Sequence, residues 1–163
     1  LWFNINNIDI EYIGFEPSPI EFILLKQNIF PKKAHNVGLY NKKGELKFYL
    51  SSQNADSSLI KPKKYDDVIN IKTKRLEDLI NCNIKCLKVE AEGAEPEVLE
   101  GIGDKFKFIE YISADLGFER GEKSESTLIQ STNYLLGKGF ELVDISHTRV
   151  CALFHNTLFT NPS

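Results

Sequence analysis

Apolar and charged residues alternate from Cys86 to Glu92: Leu87, Val89 and Ala91 on one side, Lys88, Glu90 and Glu92 on the other. A period of two predicts a strand with one charged face. Gly93 and Ala94 make a short turn, Pro96 suits the first turn of a helix, and Val98, Leu99 and Ile102 give that helix its apolar stripe. Glu95, Glu97 and Glu100 read as its solvated start, where acidic side chains meet the positive end of the helix dipole. Lys88, Glu90 and Glu92 need another reason, because charges on a central strand are costly unless paired or used. Strand, glycine turn and helix form half of a βαβ unit, whose ligands bind at the carboxyl ends of strands.

The same patterns organise the rest of the chain. Ile8–Glu16 reads as a strand with Ile10, Tyr12 and Ile13 inward; Pro17 stops it. Ser18, Pro19 and Glu21 predict a capping box, and Ile20, Ile23, Leu24 and Gln27 follow at helical spacing, ending over Asn28–Lys33. Ala34–Tyr40 is a further strand, turned by Asn41–Gly44 into a hairpin with Leu46–Leu50. A Ser- and Asn-rich loop covers 51–58. The basic runs Lys61–Lys64 and Lys72–Arg75 surround the short apolar piece Val68–Ile71 as a solvated rim. Thr73 is the expected cap of a helix over Leu76–Ile80.

Phe108–Asp115 is a strand ending in a carboxylate, and Leu116–Glu125 is a glycine-bearing loop. Ser124 or Ser126 caps a helix presenting Leu128, Ile129, Thr132, Leu135 and Leu136, closed by Gly137 or Gly139. Phe140–Ile145 and Val150–His155 form an antiparallel hairpin at the sheet edge, and 156–163 is a tail. The order predicts one α/β domain over 1–163, a three-layer sandwich with a mostly parallel sheet and one antiparallel strand.

Composition narrows the function little. The chain has 163 residues, 42% hydrophobic and 26% charged, with net charge −3, so it has no general attraction for nucleic acid or anionic lipid. No apolar run reaches a membrane span and no signal peptide is evident. Cys82, Cys86 and Cys151 read as reduced, core-type thiols of a cytoplasmic protein, and Cys82 with Cys86 lacks the partners of a zinc site. No metal site is expected.

These blocks together resemble the FkbM-type S-adenosylmethionine-dependent methyltransferases. The resemblance is carried by Phe15-Glu16-Pro17-Ser18-Pro19, Asn36-Val37-Gly38-Leu39 through Gly44, Ser57-Ser58-Leu59, and Thr73 with Leu76 and Leu79. The most specific block is Lys88-Val89-Glu90-Ala91-Glu92-Gly93-Ala94-Glu95 with Leu99 and Gly101. Asp115-Leu116-Gly117-Phe118-Glu119-Arg120-Gly121, Glu125-Ser126-Thr127 and Gly139-Phe140 close the series.

The resemblance implies a Rossmann-like class I methyltransferase fold and S-adenosylmethionine as cofactor. Glu16 would accept the ribose hydroxyls, with Pro17 and Ser18 beside it, and Val37, Gly38 and Leu39 would lie against the adenine. Glu90, Glu92 and Asp115 are the candidates for taking a proton from a hydroxyl acceptor, a sugar, glycan or other small molecule. The family pattern has aspartate where Glu90 stands. Lys88, Ser57, Ser58 and Arg120 would face the acceptor. His35, His147 and His155 fall outside the motifs.

The family's glycine-rich cofactor loop and its strand would precede Leu1–Asn7, a segment that reads as the tail of a helix. The chain has no Met and begins LWFNINN. It is therefore expected to be a fragment or processed form, about four-fifths of a domain, with an unfilled slot between the strands ending in Glu16 and Glu90. Such open edges favour self-association. The competing reading is a non-catalytic binding or assembly module of the same fold. A nucleotide-binding α/β domain of another class is weaker, for want of a phosphate loop or dinucleotide fingerprint.

Overall fold

The computed structural model describes residues 10–30, 32–51, 56–146 and 148–160. The expected helix tail at Leu1–Asn7, His147, half of the Ser/Asn-rich loop and the end of the tail lie outside them. Along the chain run β1 (Ile13–Phe15), α1 (Pro19–Ile29), β2 (Lys33–His35), β3 (Gly38–Leu39), β4 (Gly44–Leu50) and β5 (Asp67–Lys74). A 3-10 turn (Leu76–Asp78), β6 (Ile84–Val89), α2 (Glu95–Glu100) and a 3-10 segment (Gly103–Phe108) follow. Then come β7 (Ile109–Asp115), α3 (Leu128–Gly137), β8 (Phe140–Ser146) and β9 (Cys151–Asn156).

The strands form three sheets, in orders β1-β2, β3-β5-β4 and β6-β7-β9-β8. Three of these pairings are parallel and three antiparallel, so the mostly parallel sheet with one antiparallel strand is corrected to an α/β arrangement of mixed sheets. The cause is β5. Val68–Ile71 and the basic run after it are one strand, with Ile71 and Thr73 buried and Lys72 and Lys74 exposed. This strand pairs parallel to β3 and antiparallel to β4, from Gly44–Thr73 to Leu50–Asp67. The expected hairpin between Ala34–Tyr40 and Leu46–Leu50 therefore does not form, and Ala34–Tyr40 divides between two sheets.

Thr73 caps no helix. It is buried in β5, and its hydroxyl donates to the Lys42 and Gly44 carbonyls at 3.0 and 3.3 Å. Leu76–Ile80 holds only a 3-10 turn, entered from Arg75 without a side-chain cap. Helix α1 does begin at Pro19 after Ser18, but the Ser18 hydroxyl donates to the Glu21 carboxylate and caps no backbone N–H. None of its residues is buried, and Ile20, Ile23 and Leu24 are exposed. Tyr12 and Ile13 are exposed too; Gly14 is the buried residue of β1.

The main core lies on the four-stranded sheet. Val89, Ile109, Ile112, Ala114, Ala152 and Phe154 point from the strands into Val98, Leu99, Ile102 and Leu135 of the helices and turns. Phe15 and Leu39 reach this cluster from the two smaller sheets. Helix α3 buries Ser131 and Leu135 and leaves Ile129 and Leu136 exposed, so its inner face is narrower than the sequence spacing predicts. Strand β6 is at the margin of its sheet, which explains its charges: Lys88 and Glu90 are solvated and paired with each other. Cys82 and Cys86 are likewise exposed, contrary to the core-thiol expectation, and Cys151 is half-buried. Among the described residues β1 and β6 each have a strand partner on one side only, and these are the two edges the expected slot would separate. No helix of the described residues is long and apolar enough to cross a membrane.

Candidate active site

Two groups of predicted residues collect at the carboxyl ends of parallel strands, where α/β sheets bind ligands. The first follows β1 and β2. Their register pairs Phe15 with His35, whose rings stack with centroids 5.3 Å apart. Asn36 then bridges the two chain ends, donating its amide to the carbonyls of Glu16 and Pro17 at 2.8 and 3.1 Å. Glu16 is half-buried, and its Oε1 accepts the Ser18 N–H at 2.8 Å. Burial raises its pKa, the Ser18 bond opposes that, and the nearby Glu21 charge adds to it. Val37 and Gly38 are buried and Leu39 half-buried. A Cβ on Gly38 would lie 2.8 Å from Ile71 Cδ1, so this apolar ledge sits tight against β5.

The second group follows β6 and β7. Val89 pairs with Ala114, so Glu90 and Asp115 emerge side by side on adjacent chains. Asp115 Oδ1 accepts the Gly117 N–H at 3.4 Å, and Cys151 Sγ lies 3.4 Å from Oδ2. Burial and this carboxylate together push the Cys151 thiol up.

Glu92 stands on the turn after β6, with φ +49°, and Gly93 follows with φ +91°. Two successive left-handed residues, the first not glycine, are uncommon and need support from outside the turn. That support is in the surrounding side chains. Glu95 Oε1 accepts the N–H groups of Ala91 and Gly93 at 2.9 and 3.1 Å, and its Oε2 accepts the Thr127 hydroxyl at 3.1 Å. The Ser58 hydroxyl donates to the Glu92 carbonyl at 2.7 Å, and Arg120 donates to the Gly93 carbonyl. A Cβ on Gly93 would meet Arg120 Cα at 2.5 Å, so the close approach requires glycine. Burial raises the Glu92 carboxyl to about 7, helped by the charges of Glu119, Asp56, Glu90 and Glu95. Glu119 is raised as well, chiefly by burial and then by Asp115, Glu95 and Asp56.

Of the predicted site, β6, β7 and their turns bring Glu90, Glu92, Asp115 and Lys88 together. Ser58 and Arg120 join them by gripping the turn's backbone, while the Ser57 hydroxyl accepts the Ser51 N–H at 3.0 Å. Glu95 and Glu97 are not a solvated helix start. Glu95 is 1% exposed, and the Glu97 side chain is held by Arg120 at 2.6 Å. The sequence did carry a signal for Glu95: a carboxylate two residues beyond a turn glycine can fold back onto the amides that the turn leaves open. Glu119, one residue before Arg120, was also missed, since a loop glutamate has no periodicity to mark it.

A cavity of about 230 Å³ lined by Asp104, Phe106, Lys107, Lys138, Asn156 and Leu158 lies where β7 begins, whereas Asp115 ends that strand. Among the described residues no three His, Cys, Asp or Glu side chains are placed to hold a metal ion.

Comparison with known proteins bears on the fold and the family. The structure resembles the crystal structure of a methyltransferase FkbM from Methylobacillus flagellatus KT, with a TM-score of 0.58 and 16% sequence identity. The likeness covers 94% of this chain and 39% of that one, so this chain spans well under half the length of its structural relative. No curated protein matches the sequence. The methyltransferase FkbM domain model matches residues 2–142, and the chain therefore belongs to the FkbM methyltransferase domain family.

Proposed function

We propose that this chain forms the acceptor side and part of the cofactor side of an S-adenosylmethionine-dependent O-methyltransferase acting on a hydroxyl of a sugar, glycan or other small molecule. The observation that carries the proposal is the row of carboxylates at the carboxyl ends of β6 and β7, with Glu92 raised to about 7 on a strained turn. A carboxylate poised near neutrality suits removal of a proton from a hydroxyl as the oxygen is methylated. Glu90 and Asp115 flank that position, and Lys88, ion-paired with Glu90, and Ser57 are the groups proposed to orient an acceptor. Ser58 and Arg120 act on the acceptor side through the turn they hold.

The residues present fit the cofactor. Glu16 accepts the Ser18 N–H through Oε1, Oε2 is the oxygen assigned to the ribose hydroxyls, and Val37–Leu39 offer an apolar ledge to an adenine. S-adenosylmethionine, when bound, supplies an electrophilic methyl group on a sulfonium. The chain's part is to hold the acceptor oxygen in line with that group and to receive its proton.

Equilibrium dialysis with labelled S-adenosylmethionine tests the reading, on a complete enzyme that contains this domain and on its Glu16→Ala variant. Saturable binding by the first and loss in the second supports it. Binding that is indifferent to Glu16 removes the cofactor assignment, and no binding by either favours a binding or assembly module of the same fold.

A further inference from the structure

The turn Ala91–Ala94 has more side chains committed to its backbone than its size requires. Ala91 N, Gly93 N, the Glu92 carbonyl and the Gly93 carbonyl are each bonded by a side chain from elsewhere: Glu95 for both amides, Ser58 and Arg120 for the two carbonyls. These side chains come from three parts of the chain, and Thr127 at the start of α3 fixes the far oxygen of Glu95. A turn that merely connected β6 to α2 would relax Glu92 into the ordinary right-handed or extended region; here it is held at φ +49°.

We infer that Glu95 is a positioning residue whose carboxylate, bridging the Ala91 and Gly93 amides and the Thr127 hydroxyl, fixes the backbone that aims Glu92 into the acceptor side of the site. The inference rests on the function proposed for Glu92 and adds the part that sets its direction. Glu95 is too buried to meet an acceptor itself, at 1% exposure. Its reach is confined to the turn and to Thr127. The half-burial of Glu92 that raises its carboxyl follows from the same direction.

The chemistry distinguishes geometry from charge. In Glu95→Gln the amide oxygen can still accept from both backbone amides and the NH₂ can face Thr127, so the bridge survives without the charge. In Glu95→Met the volume is nearly kept and the acceptors are gone.

The test uses the whole 163-residue chain without cofactor or acceptor, so it succeeds or fails independently of methyl transfer. Amide exchange at Ala91 and Gly93 is read by NMR, together with titration of the Glu92 side chain in ¹³C-glutamate-labelled protein, assigned by loss of its signal in Glu92→Gln. Glu95→Met is expected to speed exchange at both amides by about tenfold or more, the equivalent of one lost hydrogen bond. Exchange in β7 should stay unchanged, and the Glu92 midpoint should fall below that of Glu95→Gln. Glu95→Gln is expected to keep the protection of the parent chain. Unchanged exchange and a shared Glu92 midpoint in the two variants would overturn the inference. So would equal loss of protection in both, which would assign the effect to charge. If Glu95→Met does not fold, Ser58→Ala gives the decision: a Glu92 midpoint identical to the parent's refutes a turn held from outside.

Discussion

Arg120 grips Glu97 with both terminal nitrogens, Nη1 to Oε2 at 2.9 Å and Nη2 to Oε1 at 2.6 Å, while also donating to the Gly93 carbonyl. The two side chains are 24% and 14% exposed, so the pair is partly withdrawn from water. It ties the loop after β7 to α2, and its planar, two-point form suits arginine and not lysine.

Glu97→Ala should therefore destabilise the chain by about 1.5–3 kcal/mol, the usual cost of a lost charge-assisted hydrogen bond. Arg120→Lys should recover only part of what arginine provides. Urea unfolding at neutral pH reads both, and an effect of Glu97→Ala no larger than that of an exposed pair would show that the contact is solvated.

Two glycines should respond in opposite directions. Gly93→Ala places a methyl group 2.5 Å from Arg120 Cα at φ +91°, so a loss of at least about 1–3 kcal/mol is expected. Gly137 ends α3 with open space around its missing Cβ, and Gly137→Ala should gain about 0.4–1 kcal/mol. Thermal unfolding of the two variants checks the contrast.

Glu92 should leave a mark on stability against pH. Its carboxyl titrates near 7 in the folded chain and near 4.5 when unfolded, so between those values the folded form holds the extra proton. Stability from this group is then present below about pH 4.5 and is lost as pH rises through 7. The parent chain should weaken relative to Glu92→Gln across that window. A stability difference that does not vary with pH would place Glu92 in free solvent.

In a complete enzyme, Glu16→Gln should weaken cofactor binding by about 1–3 kcal/mol in calorimetric titration with S-adenosylhomocysteine, through loss of the charged acceptor. Glu90→Gln and Asp115→Asn should leave that affinity in place and lower turnover by about a hundredfold to ten-thousandfold if either receives the proton. Normal turnover in both would leave the proton to Glu92 or to water.

Much of the fold was legible because local signals agreed with one another. The strand–turn–helix from Cys86 to Gly101, the strand ending at Asp115 and the final hairpin all combine clear period with clear punctuation. Strand β5 was not legible: Lys72, Lys74 and Arg75 resembled a solvated run, and only the neighbours on either side show that Ile71 and Thr73 face inward. Missing β5 also gave β4 the wrong partner, since a turn signal such as Asn41–Gly44 fixes a reversal and not a pairing. At the site, the carboxylates at strand ends were readable from the strand pattern. The burial of Glu95 was not, because the same helix-start position serves a solvated glutamate equally well until Thr127, 32 residues and roughly 110 Å of extended chain away, folds back onto it.

The order β6-β7-β9-β8 has a consequence for a chain made from one end to the other. Strand β9 is synthesised after β8 yet lies between it and β7, so neither has its partner until Cys151–Asn156 has emerged. During translation β7 waits with one edge open and β8 waits alone, while Ala152 and Phe154, which fill the core from β9, are still to come. Closure of the main sheet is thus a late, long-range event, and the interval before it is when the nascent chain is most open to mispairing with other strands.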